Sequence, residues 1–223
     1  MDVIEGIKSR KSIRAYKTEP VPREMLEKAL EVARWAASAD NSQPWEVAII
    51  SSKPLAELKQ ILAEKIGVME EFKSDIPFPF PNYPPLYTNR GRENGKRLFE
   101  CMGIPRGDLE KRLQWTKQMM RFFDAPVALI LYVDRALGDY AILDAGMFLQ
   151  SFMLFCTKCG LGTCVEMGVV FYPEVLRKML NISESKLILC GLAIGYPDEN
   201  APINKFRSMR EPVESFATWH GFD

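Results

Sequence analysis

The sequence predicts a fold that mixes α-helices with β-strands around a sizeable core. Three observations predict it. Between Arg23 and Ala37 the apolar residues Met25, Leu26, Ala29, Leu30, Ala33 and Ala36 recur at helical spacing. Val127 to Val133 is an unbroken apolar run of strand length, which suits a strand buried on both faces. Gly138 to Cys159 is long and apolar on nearly every side, so it must be buried all round as a helix. Either that helix crosses the core or one of its faces meets a second subunit. The second is preferred, since a shared helix is a common basis for a two-fold dimer.

The chain has 223 residues, enough for one large domain or two small ones. Lys plus Arg equals Asp plus Glu at 29 each, so no global basic field draws in nucleic acid. No apolar run reads as long enough to span a bilayer, and the first residues lack the apolar core of a signal peptide. The expectation is a cytoplasmic protein with neither membrane nor nucleic-acid partner.

Five cysteines form no disulfide-dense pattern. Cys156 and Cys159 make a C-x-x-C pair, but it lies near the end of the apolar helix, and buried structural thiols are expected there. No second such pair follows, so no metal site is expected. His220 is the one histidine. A nucleophile–histidine mechanism would rest on it alone, and the chemistry is better assigned to a cofactor.

In chain order, Val3, Ile4 and Ile7 are spaced as a short helix. Ser9-Arg10-Lys11-Ser12-Ile13-Arg14 follows, with three cations and two hydroxyls in six residues. Such a cluster suits phosphate or another multi-oxygen anion; it also suits a solvated basic turn. Thr18 to Pro22 is a turn that starts the helix at Arg23. Ser38 to Trp45 crowds small and amide side chains before Pro44. Asn41 and Gln43 can read the edge of a planar ligand or simply form an Asx-type turn. Trp45 to Ile50 reads as a strand, and Pro54 to Ile66 as an amphipathic helix.

Between Pro77 and Pro85 the chain places five prolines among Phe78, Phe80 and Tyr83, just before Tyr87. That density excludes helix and central strand and leaves a surface excursion or a lid. Asp108 to Phe123 reads as a helix. Gly160-Leu161-Gly162 ends the long helix and is not a dinucleotide fingerprint, because position 165 is Val. Met167-Gly168 closes the next short segment. Pro173 to Leu180 reads as a helix and Leu187 to Ile194 as a second buried strand. The tail carries Lys205, Arg207 and Arg210, a second basic cluster at the far end of the chain.

Taken together, Ser-Arg-Lys-Ser-Ile-Arg, Asn41-Ser42-Gln43-Pro44-Trp45 and Gly160-Leu161-Gly162-Thr163-Cys164 resemble the FMN-dependent nitroreductase family. Their order and spacing match over essentially the whole chain, and Arg210-Glu211-Pro212 is similar to the family's C-terminal Arg-x-Pro segment. Ala37 and Ala39 depart from the family's Pro and second Ser.

The resemblance implies an α+β fold with a mostly antiparallel sheet flanked by helices, spanning 1–223 as one domain in an interlocked homodimer. A lid or insertion at 67–108 and a C-terminal arm, 196–223, lying on the partner are also implied. FMN would sit at the dimer interface, with NADH or NADPH as donor. Arg10, Lys11 and Ser12 would hold phosphate or ribityl oxygens, completed by Arg210 and Arg207. Arg14 would lie near flavin N1, Ser38 and Asn41 would approach from the partner, and Met167 and Gly168 would face N5.

The implied activity is ping-pong reduction of a small nitroaromatic or similar electron-poor acceptor. The Pro-rich insertion and the ending Trp219-His220-Gly221-Phe222 are similar to the subgroup acting on nitroaromatic acids. Tyr83, Tyr87, Phe122 and Phe123 are candidate stacking walls and Arg90 a candidate carboxylate partner; ordinary packing and solvated charge explain them equally well. Alternatives on the same scaffold are a reductive dehalogenase, a quinone or ene reductase, or a non-catalytic flavin-binding protein.

Overall fold

The apolar run after Pro126 forms the central strand, β2, Val127–Asp134. A computed structural model describes residues 2–67, 73–77 and 83–222, and among them the sheet has four strands. β1 is Glu46–Ser51, β3 is Gly162–Glu166 and β4 is Lys186–Gly195. Their order is β1-β2-β4-β3, and every neighbouring pair is antiparallel.

Alternation along β2 builds a core on each face. Val127, Leu129, Leu131 and Val133 face a cluster completed by α2, Arg23–Ala33, and α6, Asp139–Lys158. Ala128 and Ile130 face the other side, where α3, Ser52–Gly67, α5, Leu109–Met120, and α7, Pro173–Leu180, complete the cluster. Two further helices, α1, Val3–Ser9, and α4, Pro85–Cys101, flank this body. The α+β fold with an antiparallel sheet is as expected.

Three sequence expectations need correction. The helix from Arg23 stops at Ala33, not Ala37, because its last turn tightens: the amides of Trp35 and Ala36 bond carbonyls three residues back. The helix read as 108–123 stops at Met120, and Phe122, Phe123 and Asp124 then all adopt left-handed backbone at φ 53°, 50° and 57°. Apolar periodicity runs through this break because both phenylalanines are buried, Phe123 against Trp115. Finally, α6 is, by length and composition, apolar enough to cross a membrane, contrary to the expectation that no segment is. It lies instead along β2, with Ala145, Phe148 and Phe152 in the core and Asp144 buried beside them.

Of the expected 67–108 insertion, residues 68–72 and 78–82, with Phe78 and Phe80, lie outside the described residues. The short stretch between them is stitched to the body. Lys73 donates its amide to the Phe171 carbonyl, and Asp75 bonds Arg177, Arg135 and the Ile188 amide at 2.7, 2.6 and 2.9 Å.

Candidate active site

The two basic clusters meet. After α1 the chain runs extended alongside β3. Ser12 pairs with Thr163, and the Ile13 amide donates to the Thr163 carbonyl at 2.9 Å. Gly162 permits this approach: a Cβ there would stand 2.6 Å from Ile13 Cγ1. The sequence predicts a helix terminator at Gly160-Leu161-Gly162, and Gly160, at φ 76°, does end α6. The second glycine serves close packing instead.

Farther on, the Lys17 amide bonds the Tyr196 carbonyl, and the Asp198 amide bonds that of Ala15. Asn204 fastens the rest. It is 3% exposed and lies in a short 3-10 turn, Pro202–Lys205. Its Oδ1 accepts from the Arg14 amide at 2.8 Å. Its Nδ2 donates to the carbonyls of Ala15 and Asp198, each at 2.8 Å. Its own carbonyl accepts from Lys11 Nζ. A single asparagine whose partners Lys11, Arg14 and Ala15 lie 189–193 residues away carries no periodic signal, so sequence reasoning missed it.

The result is a cavity of about 220 Å³ lined by Lys8, Arg10, Lys11, Ser12, Arg14, Arg207, Ser208 and Arg210, with Ile7 and Phe206. Among the described residues six cations line it and no carboxylate does. Burial, and then Arg210 and Arg207, push the Arg10 pKa below the usual arginine value. A group of like charges this close is stabilised by an anion with several acceptor oxygens, which arginine forks recognise by paired hydrogen bonds. Beside it the Thr163 hydroxyl is buried with no hydrogen-bond partner among the described residues. The donor set therefore fits a phosphate-bearing cofactor such as FMN. Lys205 does not line the cavity; Arg207 and Arg210 do.

The second group of expected residues is built but lies elsewhere on the chain. Ser38 accepts from the Gln43 amide at 3.0 Å, and Asp144 on α6 accepts from the Ala39 amide at 3.1 Å. These bonds hold Asp40, Asn41 and Gln43 in left-handed backbone, at φ 50°, 56° and 48°. None of them lines the basic cavity. Met167 and Gly168 follow β3, and Met167 is partly exposed.

On α4, Arg90 lies over the Tyr87 ring at 5.8 Å and 3.5 Å from Glu211; Tyr83 and Tyr87 are exposed. Phe122 and Phe123 are not stacking walls. They are 0% and 6% exposed in the core, where no substrate reaches them.

A sequence profile described as the Nitroreductase family matches residues 7–196. A 4-nitrobenzoate reductase of Pseudomonas putida is 31% identical over 219 residues, covering 97% of this chain and 95% of that protein. A nitrobenzene nitroreductase of Ectopseudomonas oleovorans is 31% identical over 96% of this chain and 94% of its own. The crystal structure of an FMN and NADPH-dependent nitroreductase, NfnB, from Sphigopyxis sp. strain HMH superposes with a TM-score of 0.96 at 30% identity. Both chains are covered completely. A match of this extent, in sequence and in backbone, places the chain in the nitroreductase family.

Proposed function

We propose that the protein is an FMN-dependent NAD(P)H oxidoreductase, active as a homodimer, that reduces small nitroaromatic acceptors in a ping-pong cycle. The observation that carries this reading is the cation-lined cavity where residues 8–14 meet residues 206–210. Arg10, Lys11, Arg207 and Arg210 would hold the phosphate, and Ser12 and Ser208 would add hydroxyl contacts. When bound, FMN takes a hydride from the nicotinamide and delivers electrons to the acceptor. Arg14 would present its cation to the side of the isoalloxazine that gains negative charge. Met167 and Gly168 would supply backbone groups beside it.

The second copy completes the site in this reading. Val3, Ile4 and Ile7 on α1, and Tyr140 and Leu143 on α6, are exposed apolar side chains, the kind a partner covers. So are Val213, Phe216, Trp219 and Phe222, which support the reading of 196–223 as an arm on the partner. Ser38 and Asn41 would reach the partner's flavin. Tyr83, Tyr87 and Arg90 would face the acceptor, with 67–108 as the covering insertion. Five free thiols go with a cytoplasmic setting.

The purified protein, incubated with FMN and titrated anaerobically with NADPH, tests this reading. Its visible flavin absorption is expected to bleach and to return on adding 4-nitrobenzoate. Arg14→Ala is expected to bind FMN on the order of tenfold more weakly, a loss of about 1.4 kcal/mol, and to make the bound flavin harder to reduce. A flavin that stays yellow with excess NADPH contradicts the proposal.

A further inference from the structure

Glu166, the last residue of β3, is 5% exposed, and its Oε1 has no hydrogen-bond partner among the described residues. A carboxyl buried in this way costs free energy unless it stays protonated or serves a charge nearby. The registers around it say which charge. Ser12 pairs in parallel with Thr163, so continuing along both segments brings Arg14 level with the end of β3. Across the sheet Glu166 faces Gly191, where a Cβ would first meet the apolar side chains of Val169 and Phe122. Among the described residues, the charged and titratable groups that face it are Arg14 and Tyr16 from the extended segment and Cys164 on its own strand.

We propose that Glu166 is a positioning residue that sets the charge Arg14 presents to the cofactor, holding a proton while the cofactor side of Arg14 is anionic and releasing it as the pH rises. The inference rests on the flavin reading above. A neutral Glu166 leaves the whole Arg14 cation facing the ligand; an ionised one partly cancels it. Burial pushes the Glu166 carboxyl up to about 8, against the Cys164 hydrogen bond and the Arg14 charge, which pull it down. Burial also pushes the Cys164 thiol and the Tyr16 hydroxyl upward, Tyr16 well above its ordinary value, so neither titrates ahead of Glu166. By linkage, electrons added beside Arg14 raise the proton affinity of Glu166, and reduction is accompanied by proton uptake there.

Wild type and Glu166→Gln, both loaded with FMN, would be compared by spectroelectrochemical measurement of the flavin midpoint potential against pH. The wild-type plot is expected to steepen near pH 8, and the variant's is expected to pass through that region without steepening. Identical plots overturn the inference, and so does a wild-type plot without the bend, even if the variant fails to fold.

A measurement without flavin supports the first. Glu166 is more easily protonated folded than unfolded, so wild-type stability falls as pH rises from about 4.5 to about 8. The stability margin of flavin-free Glu166→Gln over wild type is expected to widen across that window; a constant margin overturns the inference. Failure of both proteins to bind FMN overturns the flavin reading itself, and the inference with it.

Discussion

Asp75→Asn is expected to lower the free energy of unfolding by about 3 kcal/mol at neutral pH, and the thermal midpoint by roughly 6–12 °C. The carboxylate is 8% exposed and sits between Arg135 and Arg177, whose side chain is also 8% exposed. It also accepts the Ile188 amide of β4. Removing the charge leaves the Arg177 guanidinium, among the described residues, with Glu184 as its one counter-charge, and Glu184 is 88% exposed. Breaking a buried pair from one side costs far more than a surface pair is worth.

The pH dependence has a definite sign. Burial works against ionisation of Asp75, but the hydrogen bonds from Arg177, Ile188 and Arg135 outweigh it and hold the carboxyl below the ordinary value of 3.8. The stability it contributes is therefore present above that value and lost as pH falls through the folded-state pKa. Urea unfolding at neutral and acid pH reads both effects. A wild-type–variant difference of the same size at acid pH would exclude this origin.

Asn204→Ala is expected to damage the fold and the site together. The part-buried Arg14 amide loses its partner, and the carbonyls of Ala15 and Asp198 each lose one bond but keep another, from the amides of Asp198 and Ala201. The unsatisfied donor costs about 1–3 kcal/mol and each lost carbonyl bond about 1 kcal/mol, and water entering the vacated space offsets part of this, leaving a loss of about 2 kcal/mol. Since Asn204 ties the Arg14 backbone and Lys11 to the C-terminal turn, FMN affinity is expected to fall on the order of tenfold or more. Asn204→Asp separates the two effects. It keeps the acceptor for Arg14, loses both donors, and sets a carboxylate beside the basic cavity, so affinity is expected to fall further than stability. Equal FMN affinity in all three proteins would remove Asn204 from the site.

Both of these residues show why the fold was easier to read than its fastenings. Periods of two and of 3.6 are local, so β2, β4, α6 and α7 could be found from runs of neighbours. The basic residues of the cavity could be found too, because Arg10 to Arg14 and Arg207 to Arg210 are clusters in sequence as well as in space. Asp75 and Asn204 are single polar residues most of whose partners lie from 60 to 193 positions away, and nothing beside them marks their burial.

Phe122 and Phe123 failed in the opposite way. Their aromatic character is visible, but only the left-handed turn decides that they enter the core rather than line a pocket. Glu166 reads as one more charge at the end of a strand. Its importance comes from Gly191 opposite and Arg14 alongside, neither of which is near it in sequence.

The central claim is that the cationic ends of this chain, in a two-copy assembly, hold one FMN per chain. Sedimentation of the FMN-incubated protein, followed at the flavin's visible absorption, tests it directly. The account predicts that flavin moves with a species of twice the chain's 25.4 kDa, one per chain, and that Arg10→Ala releases most of it. Flavin left unsedimented beside a monomer, or carried equally well by Arg10→Ala, would contradict it.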